Sequence, residues 1–173
     1  MRYFKKIIGE RIYLSPMNTD DAEIYTKWLN DYEVMRCLGG YGKSYSLSAE
    51  RAALEKLSAE GQNFSIIRAS DDTLLGSVSL MDVDQRARKA TLGIFIGEAE
   101  NRGKGYGAEA IRLITGYGFN TLNLHNIMLV VHADNARAIA CYQKVGFREF
   151  GRRTDACFKD GKYIDEVYME ILG

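Results

Sequence analysis

The segment "ENRGKGYGAEAIR", residues 100–112, places glycine at every second position from Gly103 to Gly107, directly before a stretch that predicts a helix. The first turn of a helix has N–H groups without a partner and carries about half a positive charge, so it attracts anions. Glycine lets the backbone approach an anion closely, and Arg102 and Lys104 add two cationic side chains. The segment therefore predicts a pyrophosphate-binding loop, although a simple glycine turn with solvated cations has the same local sequence.

The elements around this loop are predicted in the order β-α-α-β-β-β-α-β-α-β-β. Three consecutive β-rich runs, at 63–70, 74–84 and 89–97, predict an antiparallel meander. After the loop come a helix, the apolar strand "NIMLVVHA", a helix over 135–145 closed by Gly146, and a strand that begins at "FREFGRRTDACF". Asp160-Gly161 predicts a tight hairpin before the alternating terminal strand.

The first part of the chain contributes one strand and two helices to that order. The strand is "ERIYLSPM", residues 10–17, followed by a helix capped by Thr19 or Asp20 and a second helix starting at Ser48. Between the helices, Gly39, Gly40 and Gly42 predict a flexible loop with exposed aromatic and cationic side chains.

Composition limits the possible classes of protein. The chain has 173 residues, 46% apolar and 27% charged, which predicts one domain over 1–173 that needs neither a disulfide framework nor a metal site. Lysine plus arginine and aspartate plus glutamate both number 23, so no general nucleic-acid partner is expected. No apolar run reaches the about 18 to 20 residues that span a bilayer, and no signal peptide is recognisable, so we expect no membrane partner and a cytoplasmic location.

Other phosphate-loop families compete for the glycine segment. The Walker type does not match, because no Gly-Lys-Ser/Thr triplet closes the loop. Gly103, Gly105 and Ala108 do satisfy the dinucleotide pattern G-x-G-x-x-A, with Asp134 about where a ribose-binding acid belongs. However, the pattern follows an antiparallel meander and leaves only about 70 residues for parallel βαβ units. A nicotinamide-dependent oxidoreductase is therefore the alternative function.

The same segment resembles a family signature. "RGKGYG" matches the Q/R-x-x-G-x-G/A loop of the GNAT acetyltransferases, and "LGIFIG" and "NARAIACYQKVGF" resemble two further elements of their cofactor site. "LNLHNIMLVV" and "FKDGKYIDEVYMEIL" are similar to the RimJ/RimL-like branch and to bacterial spermidine acetyltransferases. The resemblance covers almost the whole chain and implies the α/β (α+β) GNAT fold, with a mixed, mostly antiparallel central sheet flanked by helices. It implies an acetyl-CoA-dependent N-acetyltransferase acting by direct attack through a tetrahedral intermediate, without a metal.

The resemblance also implies roles for named residues. In the family, a tyrosine matching Tyr142 donates a proton to the departing coenzyme A sulfur, and Asn135 aligns with a residue that binds the pantetheine. A phenol with a pKa of about 10 is protonated at neutral pH and can serve this role. Spacing alone allows a core tyrosine beside Ile139 and Val145 as well. The implied cofactor-binding residues are Ile94, Phe95, Ile96, Arg102, Gly103, Lys104, Gly105, Tyr106, Gly107, Asn135, Ala138 and Tyr142.

No general base is assigned. Many relatives carry an acid where this chain has Thr91, so a non-catalytic acetyl-CoA-binding module is a second alternative. The carboxylates that could substitute are Glu33, Asp82, Asp84 and Glu98. Deprotonating a lysine-like amine at pH 7 costs about 4.6 kcal/mol and an α-amine only about 1 kcal/mol, which favours a protein N-terminus. A polyamine or another small amine remains an alternative acceptor.

The acceptor side and the assembly are predicted only in outline. A backbone N–H of the "GIFI" strand is expected to stabilise the oxyanion, with no single residue assigned. By resemblance the acceptor would lie near the residues Tyr41, Tyr45, Asp82, Asp84, Phe158 and Tyr163. An exposed terminal strand makes a homodimer a candidate assembly.

Overall fold

A computed structural model of the protein describes residues 2–40 and 42–173, and within them the chain forms eight strands and five α-helices. In chain order these are β1 Ile7–Ile8, β2 Ile12–Pro16, α1 Ala22–Leu29, α2 Tyr32–Leu38, α3 Leu47–Ala59, β3 Asn63–Arg68, β4 Leu74–Asp84, β5 Lys89–Ile96, α4 Tyr106–Asn120, β6 Asn126–His132, α5 Ala136–Val145, β7 Arg148–Lys159 and β8 Lys162–Leu172. The strands are hydrogen-bonded in the order β1-β2-β3-β4-β5-β6-β8-β7.

Pairing in this sheet is mixed and mostly antiparallel, which confirms the expected fold class. Strands β1 to β4 pair antiparallel with their sequence neighbours, as do β6 with β8 and β7 with β8. Strands β5 and β6 pair parallel, from Lys89 opposite Asn126 to Thr91 opposite Met128.

Helix α2 and strand β1 were not expected from the sequence. The Asp31 side chain accepts a hydrogen bond of 2.8 Å from Glu33 N, and Gly39 ends the helix with a φ of 75°. These two caps define a seven-residue helix that buries Val34 and Met35 in a stretch predicted as loop. Strand β1 has only two residues, too few to show a period of two, and it pairs with β2 at Ile7 opposite Leu14.

Turn chemistry places the remaining boundaries close to the predicted ones. Helix α3 begins at Leu47 with Ser46 as its cap, instead of at Ser48. Gly146 ends α5 with a φ of 116°. Asp160 and Gly161 both have positive φ, 51° and 78°, as the tight turns that match the twist of a β-hairpin require.

The chain divides into two compact units, and the first contains the described residues up to Ser79 together with Ile94–Ile114. Its core includes Tyr25 and Trp28 of α1, whose rings meet edge to face at 5.5 Å between centroids. The ring of Phe95 lies 6.0 Å from both of these rings. Helix α1 thereby holds the end of strand β5 through aromatic contacts.

The second unit contains Leu80–Gly93 and Thr115–Gly173. Its buried apolar residues include Ile127 and Leu129 of β6 and Val167 and Met169 of β8. Asp134, which the dinucleotide pattern would assign to a ribose, forms a close ion pair with the buried ammonium of Lys159. The prediction of a single domain over 1–173 is not tested by this division and stays a prediction.

Among the helices of the described residues, none combines the length and apolar character that a bilayer crossing requires.

Candidate functional site

The glycine loop, Arg102–Gly107, precedes and enters the first turn of α4. Gly103 and Gly105 have φ values of 75° and 88°, a left-handed conformation that residues with a Cβ rarely adopt. The first helical hydrogen bond runs from Glu109 N to Gly105 O at 3.1 Å. The N–H groups of the preceding helical residues, Tyr106 to Ala108, therefore have no acceptor inside the helix.

Gly107 differs from Gly103 and Gly105 because its backbone conformation does not require glycine. Its φ is not positive, and a Cβ added there would have no heavy atom of the described residues within 4 Å beyond its neighbours and the helix backbone. Neither backbone conformation nor packing within the described protein thus requires glycine here, although glycine in a helix costs about 1 kcal/mol relative to alanine. The space beside Gly107 fits a loop that leaves room for a bound anion.

The two cations of the loop differ in their surroundings. The guanidinium of Arg102 donates to Ile96 O at 3.1 Å and to Gly97 O at 2.5 Å, so it joins the loop to the end of β5. Lys104 is exposed. The arginine of the signature is therefore bound to backbone carbonyls, and the lysine is the loop cation that faces solvent.

The end of strand β5, Ile94–Ile96, is half-buried and closely packed. A Cβ at Gly76 of β4 would lie 2.1 Å from Phe95 O, and one at Gly97 would lie 2.1 Å from the Trp28 ring. Glycine at both positions is thus required by a close approach. The structure brings this strand end and the glycine loop together through the Arg102 hydrogen bonds.

Two arginines of the first unit, neither of them predicted from the sequence, contact the loop or the residue that precedes it. Arg11 Nη1 donates to Lys104 O at 2.9 Å, and the guanidinium lies over the Tyr106 ring at 5.2 Å. Arg68 donates to Asn101 Oδ1 at 3.4 Å and, more closely, to both carboxylate oxygens of Asp71 at 2.8 Å. The hydrogen bonds from Arg68 lower the pKa of Asp71 to about 2. No local motif could have identified contacts between such distant residues.

Helix α5, in the second unit, carries the other predicted cofactor residues. Asn135 caps it, because the side-chain oxygen accepts a hydrogen bond of 3.2 Å from Ala138 N. Ala138 and Tyr142 are half-buried on this helix, and the Tyr142 ring lies 6.0 Å from the Phe147 ring. Ala138 and Tyr142 lie four residues apart on this helix, and Asn135 precedes it as the cap that already uses its side-chain oxygen. Their predicted contact with a cofactor stays a prediction.

The four candidate bases differ in the hydrogen bonds that their carboxylates accept. Glu98 Oε1 accepts from Lys27 Nζ at 2.7 Å and from Trp28 Nε1 at 2.9 Å, and these hydrogen bonds lower the pKa of Glu98. A lowered pKa makes a carboxylate a weaker base, so Glu98 is poorly suited to deprotonate an amine.

Two of the remaining candidate bases, Asp84 and Glu33, also interact with neighbouring groups. Asp84 Oδ1 accepts from Arg86 N at 2.9 Å and Ala87 N at 2.8 Å, which closes the turn after β4. Glu33 Oε2 lies 3.7 Å from Nη1 of Arg36, one helical turn away. The backbone of Asp82 is in the left-handed region, with a φ of 51°. Thr91 is half-buried opposite Met128.

Of the residues expected near the acceptor, Tyr41 lies outside the described residues. The backbone of Tyr45 forms two hydrogen bonds with the Asn30 side chain: Tyr45 N donates to Oδ1 at 3.0 Å, and Nδ2 donates to Tyr45 O at 2.8 Å. Phe158 and Tyr163 form an edge-to-face pair at 5.1 Å beside the β7–β8 hairpin, with 58% and 65% of their surfaces exposed.

Comparison with known proteins agrees with these features. The model of the acetyltransferase (GNAT) domain matches residues 11–148. The uncharacterized N-acetyltransferase p20 of Bacillus licheniformis is 31% identical over 94% of this chain and 93% of its own length. The spermidine N(1)-acetyltransferase of Escherichia coli (strain K12) is 28% identical over 93% of this chain and 86% of its own length.

A solved structure extends the similarity to three dimensions. The crystal structure of spermidine N-acetyltransferase from Vibrio cholerae in complex with CoA and spermine superimposes with a TM-score of 0.84. It is 27% identical in sequence, over 95% of this chain and 96% of that one. These similarities favour the acetyltransferase interpretation of the glycine loop over the oxidoreductase alternative. The chain belongs to the GNAT acetyltransferase family and is an N-acetyltransferase.

Proposed function

We propose that the protein transfers an acetyl group from acetyl-CoA to a primary amine by direct attack of the amine. The observation that carries this proposal is the glycine loop with the open space beside Gly107. Gly103 and Gly105 shape the loop, and the helical N–H groups that follow have no acceptor inside α4. This combination is typical of a site for phosphate oxygens.

The residues present fit a coenzyme A pyrophosphate. The backbone from Arg102 to Gly107 would donate N–H groups to it, and Lys104 would add the positive charge of an exposed ammonium. Because the Arg102 guanidinium is bound to Ile96 O and Gly97 O, we assign its side chain to holding the loop against β5. The backbone of Ile94–Ile96 would pair with the amide groups of the pantetheine arm. When bound, acetyl-CoA supplies an activated acetyl thioester.

Tyr142 is the proposed proton donor. Its hydroxyl would hold a proton for the departing thiolate, whose conjugate acid has a pKa of about 8.5, well below the value of about 10 for an unperturbed phenol. Asn135 would contribute to the pantetheine site through its side-chain amide nitrogen, because its oxygen caps α5. Both assignments rest on the resemblance to the family signature.

The acceptor is proposed to be a polyamine, another small primary amine or a protein N-terminal α-amine. Similarity to the spermidine acetyltransferases of Escherichia coli and Vibrio cholerae makes spermidine the first amine to test. Thr91 cannot accept a proton in place of an acid, and Glu98 has a lowered pKa. An acceptor that loses its proton readily, such as an α-amine, is therefore the second class to test.

The first experiment compares thermal stabilisation by acetyl-CoA, NADH and NADPH at equal excess, since a ligand that binds the native state raises its apparent stability. Stabilisation by acetyl-CoA alone supports the proposal, and stabilisation by a nicotinamide alone would overturn it. Mass spectrometry should then detect acetylated product with spermidine, spermine or a peptide α-amine. Binding without product from any amine would favour a non-catalytic acetyl-CoA-binding module. Acetylation of Cys141 or Cys157 during turnover would contradict direct attack.

A further inference from the structure

We propose that Arg11 is a positioning residue that sets the orientation of the glycine loop toward the pyrophosphate, an inference that rests on the proposed function. Arg11 immediately precedes β2 and lies 93 residues from Lys104 in the sequence. It belongs neither to the glycine signature nor to the residues predicted to bind the cofactor.

The contacts of Arg11 surround the middle of the loop. Its Nη1 donates to Lys104 O at 2.9 Å, and its Nε donates to Glu109 Oε2 at 3.1 Å. The guanidinium also lies over the ring of Tyr106, with 5.2 Å from its central carbon to the ring centroid. One side chain thus contacts the loop, the first residue of α4 and the first turn of that helix.

The hydrogen bond to Lys104 O determines the direction of a peptide unit. In a planar trans peptide, the carbonyl of one residue and the N–H of the next point to opposite sides. Because Arg11 holds Lys104 O, the N–H of Gly105 points away from Arg11 and is available to an anion on the other side of the loop. Without the hydrogen bond from Arg11 to Lys104 O, this peptide unit would be able to rotate.

Gly105 allows this arrangement for a second reason besides its φ. A Cβ at this residue would lie 2.9 Å from Arg11 Nη2, closer than real Cβ atoms approach a neighbour. A larger residue at this position would require the guanidinium to shift. The glycine pattern of the signature and the position of Arg11 are therefore coupled.

Arg11 also neutralises Glu109, the acidic residue in the first turn of α4. The Glu109 side chain is only 14% exposed. Its Oε1 accepts from Arg11 N at 2.8 Å and from Ile12 N at 3.3 Å, while Oε2 accepts from the Arg11 guanidinium. A Cβ at Gly9 would lie 2.6 Å from Oε1, so glycine there admits the carboxylate. Without the Arg11 guanidinium, Glu109 would keep its two backbone N–H donors but lose its cation, and its uncompensated charge would oppose phosphate binding.

The experiment uses Arg11→Met and Arg11→Lys, with Arg51→Met as a control at an exposed residue of α3. Isothermal titration measures the Kd for CoA, and thermal unfolding measures the stability of each variant without ligand. Turnover is then compared with acetyl-CoA and with S-acetylpantetheine, a donor that lacks the pyrophosphate. A loss of turnover with acetyl-CoA but not with S-acetylpantetheine would indicate an effect on pyrophosphate binding and not a general loss of structure.

For Arg11→Met we expect the Kd for CoA and the KM for acetyl-CoA to rise about tenfold, with kcat within about twofold of the original value. The kcat/KM for S-acetylpantetheine should be unchanged, as should every value for Arg51→Met. Arg11→Lys, which retains the charge but not the planar fork, should raise the Kd for CoA about threefold.

An unchanged Kd for CoA in Arg11→Met, or a parallel loss of kcat/KM with both donors, would overturn the role of Arg11. If Arg11→Met does not fold, Arg11→Lys decides, because an unchanged Kd in that variant overturns the role as well. Failure of the unaltered protein to bind CoA would instead reject the proposed function, and the role of Arg11 with it.

Discussion

The indole Nε1 of Trp28 donates a hydrogen bond of 2.9 Å to Glu98 Oε1 and thereby joins α1 to the segment that follows β5. The same oxygen accepts from Lys27 Nζ at 2.7 Å. These two donors stabilise the ionised carboxylate. The neighbouring residue, Gly97, packs so closely against the Trp28 ring that a Cβ would not fit there. The connection holds the strand end against α1 and makes Glu98 a weaker base.

This arrangement predicts a pH-dependent stability difference between the protein and its Glu98→Gln variant. The Lys27 and Trp28 hydrogen bonds lower the pKa of Glu98 below the ordinary value of 4.5. The stabilisation is therefore complete above pH 4.5 and disappears as the pH falls through the lowered pKa. Urea unfolding from pH 7 to pH 3 should show the difference in unfolding free energy shrinking at the acidic end. A difference that stays constant with pH would contradict the assignment.

Gly107→Ala should separate stability from ligand binding. The added methyl meets no described protein atom within 4 Å beyond the helix, so the free energy of unfolding should rise by up to about 1 kcal/mol. It would intrude on the proposed phosphate space, and because overpacking costs about 1–3 kcal/mol, the Kd for CoA should rise about tenfold.

Gly116→Ala is the matched control for this prediction. Gly116 also lies in α4, and a Cβ there likewise has open space. It should give a similar gain in stability, measured by urea unfolding, with an unchanged Kd for CoA. Equal Kd values for the two alanine variants would argue against a phosphate site beside Gly107.

Tyr142→Phe should depress turnover far more than cofactor binding. Loss of a positioned general acid lowers kcat by about 100-fold, and the Kd for CoA should change by less than about twofold. Steady-state kinetics and titration measure the two quantities, with Tyr32→Phe on α2 as a control that should retain kcat. Full activity with an unchanged pH–rate profile in Tyr142→Phe would refute the proton-donor role.

The ion pair between the buried ammonium of Lys159 and the partly exposed carboxylate of Asp134 should respond to mutation as a coupled unit. Asp134→Asn removes the negative charge opposite the ammonium, which is 4% exposed, and should lower the free energy of unfolding by about 2 kcal/mol. The double variant with Lys159→Met should recover part of this loss, because no uncompensated charge remains. Urea unfolding of the four proteins in a double-mutant cycle measures the coupling, and strictly additive losses would show that the pair is not coupled.

Local signals account for most of the fold that the sequence predicted. The glycine loop, the Asn135 cap and the Asp160-Gly161 turn each depend on residues a few positions apart, and all three lie at element boundaries. Gly39 and Gly40 predict a loop, whereas in the structure Gly39 ends helix α2, which Asp31 caps at its start. The residues of a cap and of an irregular loop are the same types, so their spacing alone did not separate the two.

The candidate site was predicted less completely than the fold. The resemblance identified the loop, the strand end and α5 as cofactor elements, and those assignments stay predictions. The loop sequence also predicts Arg102 as a cation beside the phosphate, and in the structure its guanidinium donates to Ile96 O and Gly97 O. Side-chain direction depends on which acceptors lie nearby, and a motif does not contain that information.

The sequence by itself determined the order of most elements, the turns and the family signature, because φ preferences, caps and hydrophobic periods act between near neighbours in the chain. Only the tertiary structure decided which distant groups meet. Arg11 reaches Lys104 O across 93 residues, and Trp28 reaches Glu98 across 70. Such contacts require the folded backbone to bring a donor and an acceptor within about 3 Å, a condition that residue type and local spacing do not specify.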